Sequence, residues 1–177
     1  MSSESKKGYL KILAIILIFF IVLFFRSRVC ERVIVNGQSM EPNFKDSDIC
    51  WADKRYKSIE RYDVVVARTD NEMIIKRVIG LPGDTIKIKD GTVYINDGKI
   101  DDEFDFETYP DGTKDYKNYA EDKNQEVIFV CEDNQYFLMG DNRQHSADSR
   151  ITGPIDLSDI DGKIVMRFYP FNRIKKF

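Results

Sequence analysis

An uninterrupted run of fourteen apolar residues, Ile12–Phe25, constrains the fold of this chain more than any other feature of its sequence. The run alone has the length of a signal-peptide core, but it leaves through Arg26-Ser27-Arg28-Val29, whereas a signal peptide needs a cleavage site of small residues at its exit. Counted from Tyr9, with the Lys11 side chain reaching towards the lipid headgroups, the segment has 17 residues. At about 1.5 Å per residue it forms about 25 Å of helix, enough for a thin crossing. We therefore expect an uncleaved transmembrane anchor.

The net charge of −3 is distributed unevenly, with +4 on residues 1–28 and −7 on the remainder. An acidic body does not suit a phosphate backbone, so the charge argues against a nucleic-acid partner. Basic residues flank the apolar run on both sides, and the positive-inside rule therefore leaves the orientation of the anchor open. Because the residues before Tyr9 are too few to fold, the chemistry has to lie beyond the anchor.

The cysteines and the histidine give no sign of a metal site. Cys30, Cys50, Cys131 and the single histidine, His145, lack zinc-site spacing and are too few to form such a site, so we expect no metal and no cofactor. Cys50 and Cys131 would be able to pair in an oxidising compartment, while free buried thiols are the default interpretation.

Beyond the anchor, short runs rich in β-branched and aromatic residues alternate with turn signals, which predicts a mainly β fold. Asp90-Gly91 joins two of these runs as a hairpin turn, with Ile86 and Ile88 on the buried face. Between residues 101 and 122 the pattern breaks into an acidic excursion or small subdomain, for which a solvated loop is the simpler interpretation. The predicted strands are Arg32–Val35, Ile49–Ala52, Asp63–Ala67, Met73–Ile79, Thr85–Lys89, Thr92–Ile95, Val127–Cys131, Tyr136–Met139 and Lys163–Phe168.

Two clusters of residues in this β region combine groups that could act in catalysis. In residues 36–42 a strand ends in a glycine turn that can present the Ser39 hydroxyl, although such a serine is most often only part of the turn. In residues 73–84, Lys76 and Arg77 stand within an apolar strand, and the period of two does not say which of them faces inward. A buried lysine can lose about 3 to 5 pKa units and become a base, whereas an exposed edge lysine would only discourage aggregation.

A third cluster, residues 139–150, concentrates two acids, two arginines and two serines in one loop after an apolar strand. Its charges could form ion pairs that fix the loop near a site, or they could belong to a solvated turn. Composition alone favours the solvated turn.

Taken together and in order, the three clusters resemble the sequence boxes of bacterial type I signal peptidases of the Gram-positive type. The matching segments are Ser39-Met40-Glu41-Pro42, Lys76–Asp84, Gly140-Asp141-Asn142-Arg143 and Ser146–Arg150. The resemblance extends from the anchor to the final strand, apart from the acidic excursion. It implies a membrane-bound serine endopeptidase with a mainly β catalytic domain, which removes signal peptides from exported preproteins by cleaving after small residues.

The resemblance also implies a domain organisation and its partners. Residues 1–8 would be a short cytoplasmic head, residues 9–28 the transmembrane anchor, and residues 29–177 an extracytoplasmic catalytic domain with the acidic excursion at about 101–125. The catalytic domain would lie on the outer face of the plasma membrane. Its partners would be preprotein signal peptides and membrane lipid, and Trp51 and Phe44 would lie either at the lipid interface or in the core.

Residue by residue, the resemblance implies Ser39 as the nucleophile and Lys76 as the general base, in place of the rival base His145. Ser146 would orient the lysine amine. The residues implied to brace the site are Asp141, Arg143, Asp148 and Arg150. Met40 and Ile34 are implied as walls of the substrate pocket, with core packing as the alternative for Ile34.

Two positions depart from the family pattern. Asn43 replaces a threonine, which affects the local turn or the substrate rim, and Gly37 replaces a serine that completes the oxyanion hole in some relatives. The Ser39 backbone N–H is then the principal oxyanion donor.

Other functions remain alternatives at this stage. They are a self-cleaving repressor-type protease, a dedicated pilin-type processing peptidase, a non-enzymatic pilus-assembly chaperone, and a tethered β domain that only binds. The repressor type lacks the anchor, and the chaperone type lacks the serine or the lysine.

Overall fold

The computed structural model of the protein describes residues 11–20, 29–69, 72–89, 92–100, 126–143 and 145–177. Residues 11–20 form a helix, α1, whose apolar side chains are exposed. Within the described ranges, no helix is both long enough and apolar enough to cross a membrane. The predicted head, most of the predicted anchor, the Asp90-Gly91 turn and the acidic excursion lie outside the described residues.

The described residues beyond α1 are mainly β, which confirms the β part of the predicted fold class. All nine predicted strands are present, with ends that differ by at most three residues, and three strands of two residues each were not predicted. The strands are β1 Cys30–Ile34, β2 Ile49–Asp53, β3 Val64–Arg68, β4 Met73–Gly80, β5 Thr85–Lys89, β6 Thr92–Ile95, β7 Gly98–Lys99, β8 Glu126–Val130, β9 Gln135–Met139, β10 Ile155–Asp156, β11 Ile160–Tyr169 and β12 Lys175–Lys176; a short helix, α2, spans Ser149–Thr152.

The strands form two antiparallel sheets. The larger sheet has the order β1-β2-β11-β3-β4-β9-β10, with β12 paired to β11, and the smaller sheet has the order β7-β6-β5-β8. The sheets meet at Gly80, where an added Cβ would lie 2.8 Å from the Cβ of Phe137 and 2.9 Å from Ile86 Cδ1. Glycine is required there because no side chain fits in the space between the two sheets.

Three apolar clusters fill the interior. One cluster packs β1, β2, β3 and β11 together with Met40 and Phe44, a second joins β4, β5, β6 and β9, and a third covers the other face of β3 and β4. Ile86 and Ile88 are buried in the second cluster, as the hairpin pattern predicts. Of the two locations considered for Phe44, the lipid interface and the core, the structure shows the core: Phe44 is buried and stacks on Phe177. Trp51 is half-buried and stacks on Phe168.

The three cysteines are free thiols. Cys50 and Cys131 lie in different apolar clusters, in agreement with the default interpretation of unpaired buried thiols. Burial raises the pKa of Cys50 to about 12 and that of Cys131 to about 11. Neither thiol is therefore a reactive nucleophile at neutral pH.

The buried face of the smaller sheet predicts a contrast between two isoleucines. Ile86 is fully buried on β5, whereas Ile128 on the neighbouring strand β8 is 55 % exposed. We expect Ile86→Ala to lower the free energy of unfolding by about 2 to 5 kcal/mol, because it leaves a cavity. Ile128→Ala is the matched control and should cost less than about 1 kcal/mol. Chemical unfolding of both variants tests this, and equal losses would contradict the assigned burial.

Candidate active site

The turn between β1 and β2 holds Ser39 at the surface of the domain. Gly37 adopts a positive φ of 80°, and its N–H donates to Asp46 Oδ1 at 2.7 Å. The side chains of Met40 and Phe44 insert into the core below the turn and are 1 % and 0 % exposed. Ser39 itself is half-buried, so its hydroxyl is held in place and remains accessible.

Lys76 lies on β4, opposite Val65 of β3, and is only 4 % exposed. Arg77, on the opposite face of the same strand, is 8 % exposed. The sequence left open which of the two faces inward, and the structure buries both, because apolar clusters cover both faces of β4. A strand covered on both faces has no solvent side to which a charged residue could turn.

The Lys76 amine and the Ser39 hydroxyl are in direct contact. Lys76 Nζ lies 2.8 Å from Ser39 Oγ and donates to the carbonyl oxygen of Ile75 at 3.1 Å. Burial lowers the pKa of Lys76, against the opposing influence of the Asp148, Glu72 and Asp141 carboxylates. An amine with a lowered pKa beside a hydroxyl is equipped to activate that hydroxyl as a nucleophile.

Asp141 binds the other cation of β4. Arg77 Nε and Nη2 donate to the two carboxylate oxygens of Asp141, each at 2.7 Å, and Asn43 Nδ2 donates to Asp141 Oδ2 at 3.0 Å. The carboxylate raises the pKa of Arg77, although burial acts in the opposite direction. Asp141 thus connects the Ser39 turn to the strand of Lys76, and Asn43, at a position that departs from the family pattern, makes one of the connecting bonds.

Asp148 is the centre of a second buried network. Its carboxylate accepts from Ser146 Oγ at 2.6 Å, from the Gly140 N–H at 2.9 Å, and from Arg150 Nε and Nη2 at 2.8 Å each. Burial favours the neutral acid, but the hydrogen bonds and charge of Arg150 outweigh it and lower the pKa of Asp148. Arg143, 2 % exposed, donates from Nε to the Gly140 carbonyl oxygen at 3.0 Å. All four residues that the resemblance implies as bracing are therefore buried or half-buried.

Ser146 lies beside the site, and its hydroxyl donates to Asp148. Gly140 allows this loop to approach: a Cβ at residue 140 would lie 2.2 Å from Ser146 Oγ and 2.5 Å from the Ser39 carbonyl oxygen. The same loop holds the Ser39 backbone through a bond from the Asn142 N–H to the Ser39 carbonyl oxygen, at 3.0 Å. Sequence reasoning gave Gly140 no role of its own, since a glycine after a strand usually indicates only a turn.

The remaining implied residues differ in exposure. Met40 is buried in the apolar core, while Ile34 is 45 % exposed at the end of β1, so the alternative of core packing for Ile34 is wrong. Of the two implied pocket walls, only Ile34 offers side-chain surface to a peptide. His145 is exposed, and its ring contacts Asn142 Oδ1 at 3.2 Å.

A cavity of about 340 Å³ opens on the face of the larger sheet. Its apolar lining comes from Val33, Ala52, Val66 and Met73, none of which was predicted as a site residue. Two ion pairs, Lys54–Glu31 and Arg68–Asp161, complete the lining. On β1 and β3 the lining residues lie at every second position and alternate with neighbours on the other face of the sheet. That alternation is the only sequence signal that could have indicated them.

Comparisons with known proteins find similar sequences over most of the chain. A protein-family model described as "Signal peptidase, peptidase S26" matches residues 8–169. Signal peptidase I S of Bacillus subtilis (strain 168) is 34 % identical over 167 residues, covering 92 % of this chain and 90 % of that protein. Signal peptidase IB of Staphylococcus aureus (strain COL) is 33 % identical over 185 residues, covering 96 % and 94 %. The crystal structure of a signal peptidase I from Enterococcus faecalis V583 has 26 % identity and a TM-score of 0.48, covering 60 % of this chain and 97 % of that chain.

The hydrogen bonds of Asp141 predict that replacing one of its carboxylate oxygens by an amide group strongly lowers the free energy of unfolding. Asp141→Asn removes the charge opposite Arg77 and leaves a buried guanidinium without its counter-ion, which typically costs about 3 to 5 kcal/mol. Asp97→Asn is the control, because Asp97 is 87 % exposed in its pair with Lys87, and we expect no measurable change. The free energies of unfolding of the two variants test this, and a small loss for Asp141→Asn would contradict a bracing role.

Proposed function

The chain belongs to the signal peptidase family, peptidase S26, and from that membership and the site geometry we propose that Ser39 is its nucleophile and Lys76 its general base. Its function is that of signal peptidase I: it is a serine endopeptidase that removes signal peptides from preproteins. The observation that carries the proposed roles is the 2.8 Å contact between a buried amine and a half-exposed hydroxyl.

In the first step, the neutral Lys76 amine takes the hydroxyl proton as Ser39 Oγ attacks the scissile carbonyl carbon. The carbonyl oxygen gains the negative charge of the tetrahedral intermediate. In the described part of the chain, the Ser39 backbone N–H has no hydrogen-bond acceptor, which supports its assignment as an oxyanion donor.

In the second step, the C–N bond breaks, and the proton held by Lys76 passes to the nitrogen of the leaving peptide. The signal peptide remains bound to Ser39 Oγ as an ester. Water then attacks the ester carbonyl with Lys76 again accepting a proton, and collapse of the intermediate returns that proton to Ser39 Oγ. The cycle releases both peptide products and needs no group beyond the dyad, the oxyanion donor and water.

The neighbouring charges support this chemistry by being paired. The Asp148 and Asp141 carboxylates would otherwise favour a protonated Lys76, and their bonds to Arg150 and Arg77 balance them. The Ser146 hydroxyl donates its hydrogen bond to Asp148, which leaves its oxygen free to accept one from the lysine amine once Ser39 has reacted. We therefore assign Ser146 as the lysine-orienting residue, and Asp141, Arg143, Asp148 and Arg150 as bracing residues.

The substrate would bind in extended form along β4. Strand β9 pairs with β4 from Arg77 to Gly80, and in the described residues the preceding part of β4, Met73–Lys76, has no partner strand on that side. An added peptide strand here would bring its backbone to the dyad, with main-chain hydrogen bonds giving affinity and pockets giving specificity. Ile34, exposed beside the Ser39 turn, would restrict the residue before the cleaved bond to a small side chain.

Signal peptidase I enzymes are membrane-bound, and here a single-pass anchor at residues 9–28 would hold residues 29–177 at the outer face of the plasma membrane. The exposed apolar side chains of α1 support this location, because water would not stabilise a helix that is apolar on all sides. The cleavage site of an exported preprotein would then reach the dyad at the membrane surface.

Removal of either dyad residue should abolish cleavage. In detergent, with a preprotein that has small residues one and three positions before the cleaved bond, we expect Ser39→Ala and Lys76→Ala to lose at least about 10³-fold in kcat. Ser58→Ala and Lys57→Ala, at exposed positions, are the matched controls and should cleave normally. Normal cleavage by Ser39→Ala or Lys76→Ala would refute the dyad and favour a tethered domain that only binds.

The pH profile should identify the base. Lys76 acts only when deprotonated, so activity rises with pH through its pKa, and burial places that midpoint below the value of 10.5 for a free lysine. A steady-state profile of kcat/KM from mildly acid to strongly alkaline conditions tests this. Either a flat profile or a midpoint at the ordinary lysine value would argue against a buried lysine base.

A further inference from the structure

A cluster of two arginines and an aspartate packs against the end of the Ser39 turn. It consists of Arg167 on β11, Arg173 in the short 3-10 turn after β11, and Asp48 at the end of the Ser39 turn; we call it the arginine clamp. Arg167 and Asp48 are each 2 % exposed. Arg173 Nη1 donates to both Asp48 carboxylate oxygens at 3.2 Å, and Arg167 Nε donates to the Arg173 carbonyl oxygen at 2.7 Å.

The clamp donates to the backbone of the residues that follow the nucleophile. Arg173 Nη2 lies 3.3 Å from the carbonyl oxygens of both Pro42 and Asn43, and Arg167 Nη1 also donates to the Asn43 carbonyl. The segment from Ser39 forms a hydrogen-bonded turn that ends here, with the Phe44 N–H bonded to the Met40 carbonyl oxygen at 2.8 Å. By donating to the Pro42 and Asn43 carbonyl oxygens, the guanidinium groups cap the end of this turn.

The capped residue is also the one that connects the turn to the base. The Asn43 side chain donates to Asp141, which holds Arg77, the neighbour of Lys76 on β4. The Asn43 backbone is therefore held by the clamp, while its side chain is held by the network around the dyad. A shift of the Asn43 carbonyl would move the Ser39 turn relative to β4.

The clamp also fixes the packing below the turn. The Arg167 guanidinium lies over the Phe44 ring, 5.8 Å from its centroid, and Phe44 stacks on Phe177 at 4.7 Å. A planar guanidinium can serve two carbonyls and a carboxylate together, which a lysine ammonium cannot do with the same geometry. Burying this many polar groups around one turn is costly unless each is hydrogen-bonded, so the bonds of the clamp also fix where its members lie.

We propose that Arg167 and Arg173 are positioning residues for the reaction, which cap the Pro42 and Asn43 carbonyls and so hold the Ser39 hydroxyl in contact with the base. The inference rests on the proposed role of Ser39 as the nucleophile. A clamp of this kind contributes to the chemical step and not to substrate binding, because it touches neither the free edge of β4 nor the cavity on the larger sheet.

The test uses the full chain in detergent and compares Arg173→Gln and Arg173→Lys with Arg61→Gln. Arg61 is the matched control, since it also pairs with a buried aspartate, Asp84, and donates to a backbone carbonyl, but at the junction with the smaller sheet. For each variant, kcat, KM, the pH midpoint of kcat/KM and the thermal unfolding midpoint are measured.

For Arg173→Gln we expect kcat to fall at least about tenfold, because small displacements of reacting groups are costly. KM and the pH midpoint should stay unchanged, and Arg173→Lys should recover part of kcat. Arg61→Gln should keep its kcat even if its unfolding midpoint falls as far. Three results would each overturn the proposal. They are a wild-type kcat in both Arg173 variants, a loss of kcat equal to that of Arg61→Gln, and a rise in KM in place of a fall in kcat.

If Arg173→Gln does not fold, Arg173→Lys decides by the same criteria, with wild-type kcat overturning the proposal. Ser39→Ala separates the two levels of inference. An active Ser39→Ala would refute the dyad itself, whereas an inactive Ser39→Ala together with a fully active Arg173→Gln would refute only the clamp.

Discussion

Burial of the Lys76 amine is the constraint on which the rest of the site depends. An ammonium group in this position would be costly to desolvate, and the same burial makes the neutral amine available as a base. Three carboxylates oppose this effect, and two of them, Asp148 and Asp141, are each bonded to an arginine that balances their charge. The proposed chemistry therefore depends on ion pairs that do not take part in proton transfer.

The architecture brings these groups together from distant parts of the chain. The Ser39 turn joins β1 to β2, Lys76 lies on β4, and the Asp148 loop follows β9, while β11 carries Arg167 beneath the turn. Gly140 lets two of these loops come into contact where a larger residue would separate them. The two sheets approach each other in the same way at Gly80. The packing of the domain and the assembly of its site therefore both require a glycine where two segments touch, and not only where the chain turns.

Much of the fold could be predicted from the sequence, because the strands of this chain follow β-branched runs bounded by turn residues. The three strands that were missed have two residues each, too few for a period to appear. The period of two could not tell which of Lys76 and Arg77 faces inward, and the reason is physical. When both faces of a strand are covered, consecutive residues are all buried. The dyad itself could be named only through a resemblance across three separated segments.

The supporting parts of the site were harder to predict. Gly140 and Asn43 act through contacts with residues distant in sequence, which no local pattern indicates. Arg167 and Arg173 are near the end of the sequence among other basic residues, where a solvated surface is the simpler expectation. The apolar cavity could not be predicted because its lining comes from β1, β2, β3, β4 and β11.

Among the strands that the structure describes, none pairs with the stretch of β4 beside Lys76 on one side, which has a consequence for what this enzyme could recognise. A backbone edge can be matched only by another backbone in extended form, so a helical or already folded segment presents no usable hydrogen-bonding groups to it. Recognition would then begin with the conformation of the passing chain and only afterwards involve its side chains. Precursors would be selected first for having an uncoiled stretch at the right distance from the bilayer, and a domain that folded early around that stretch would escape cutting.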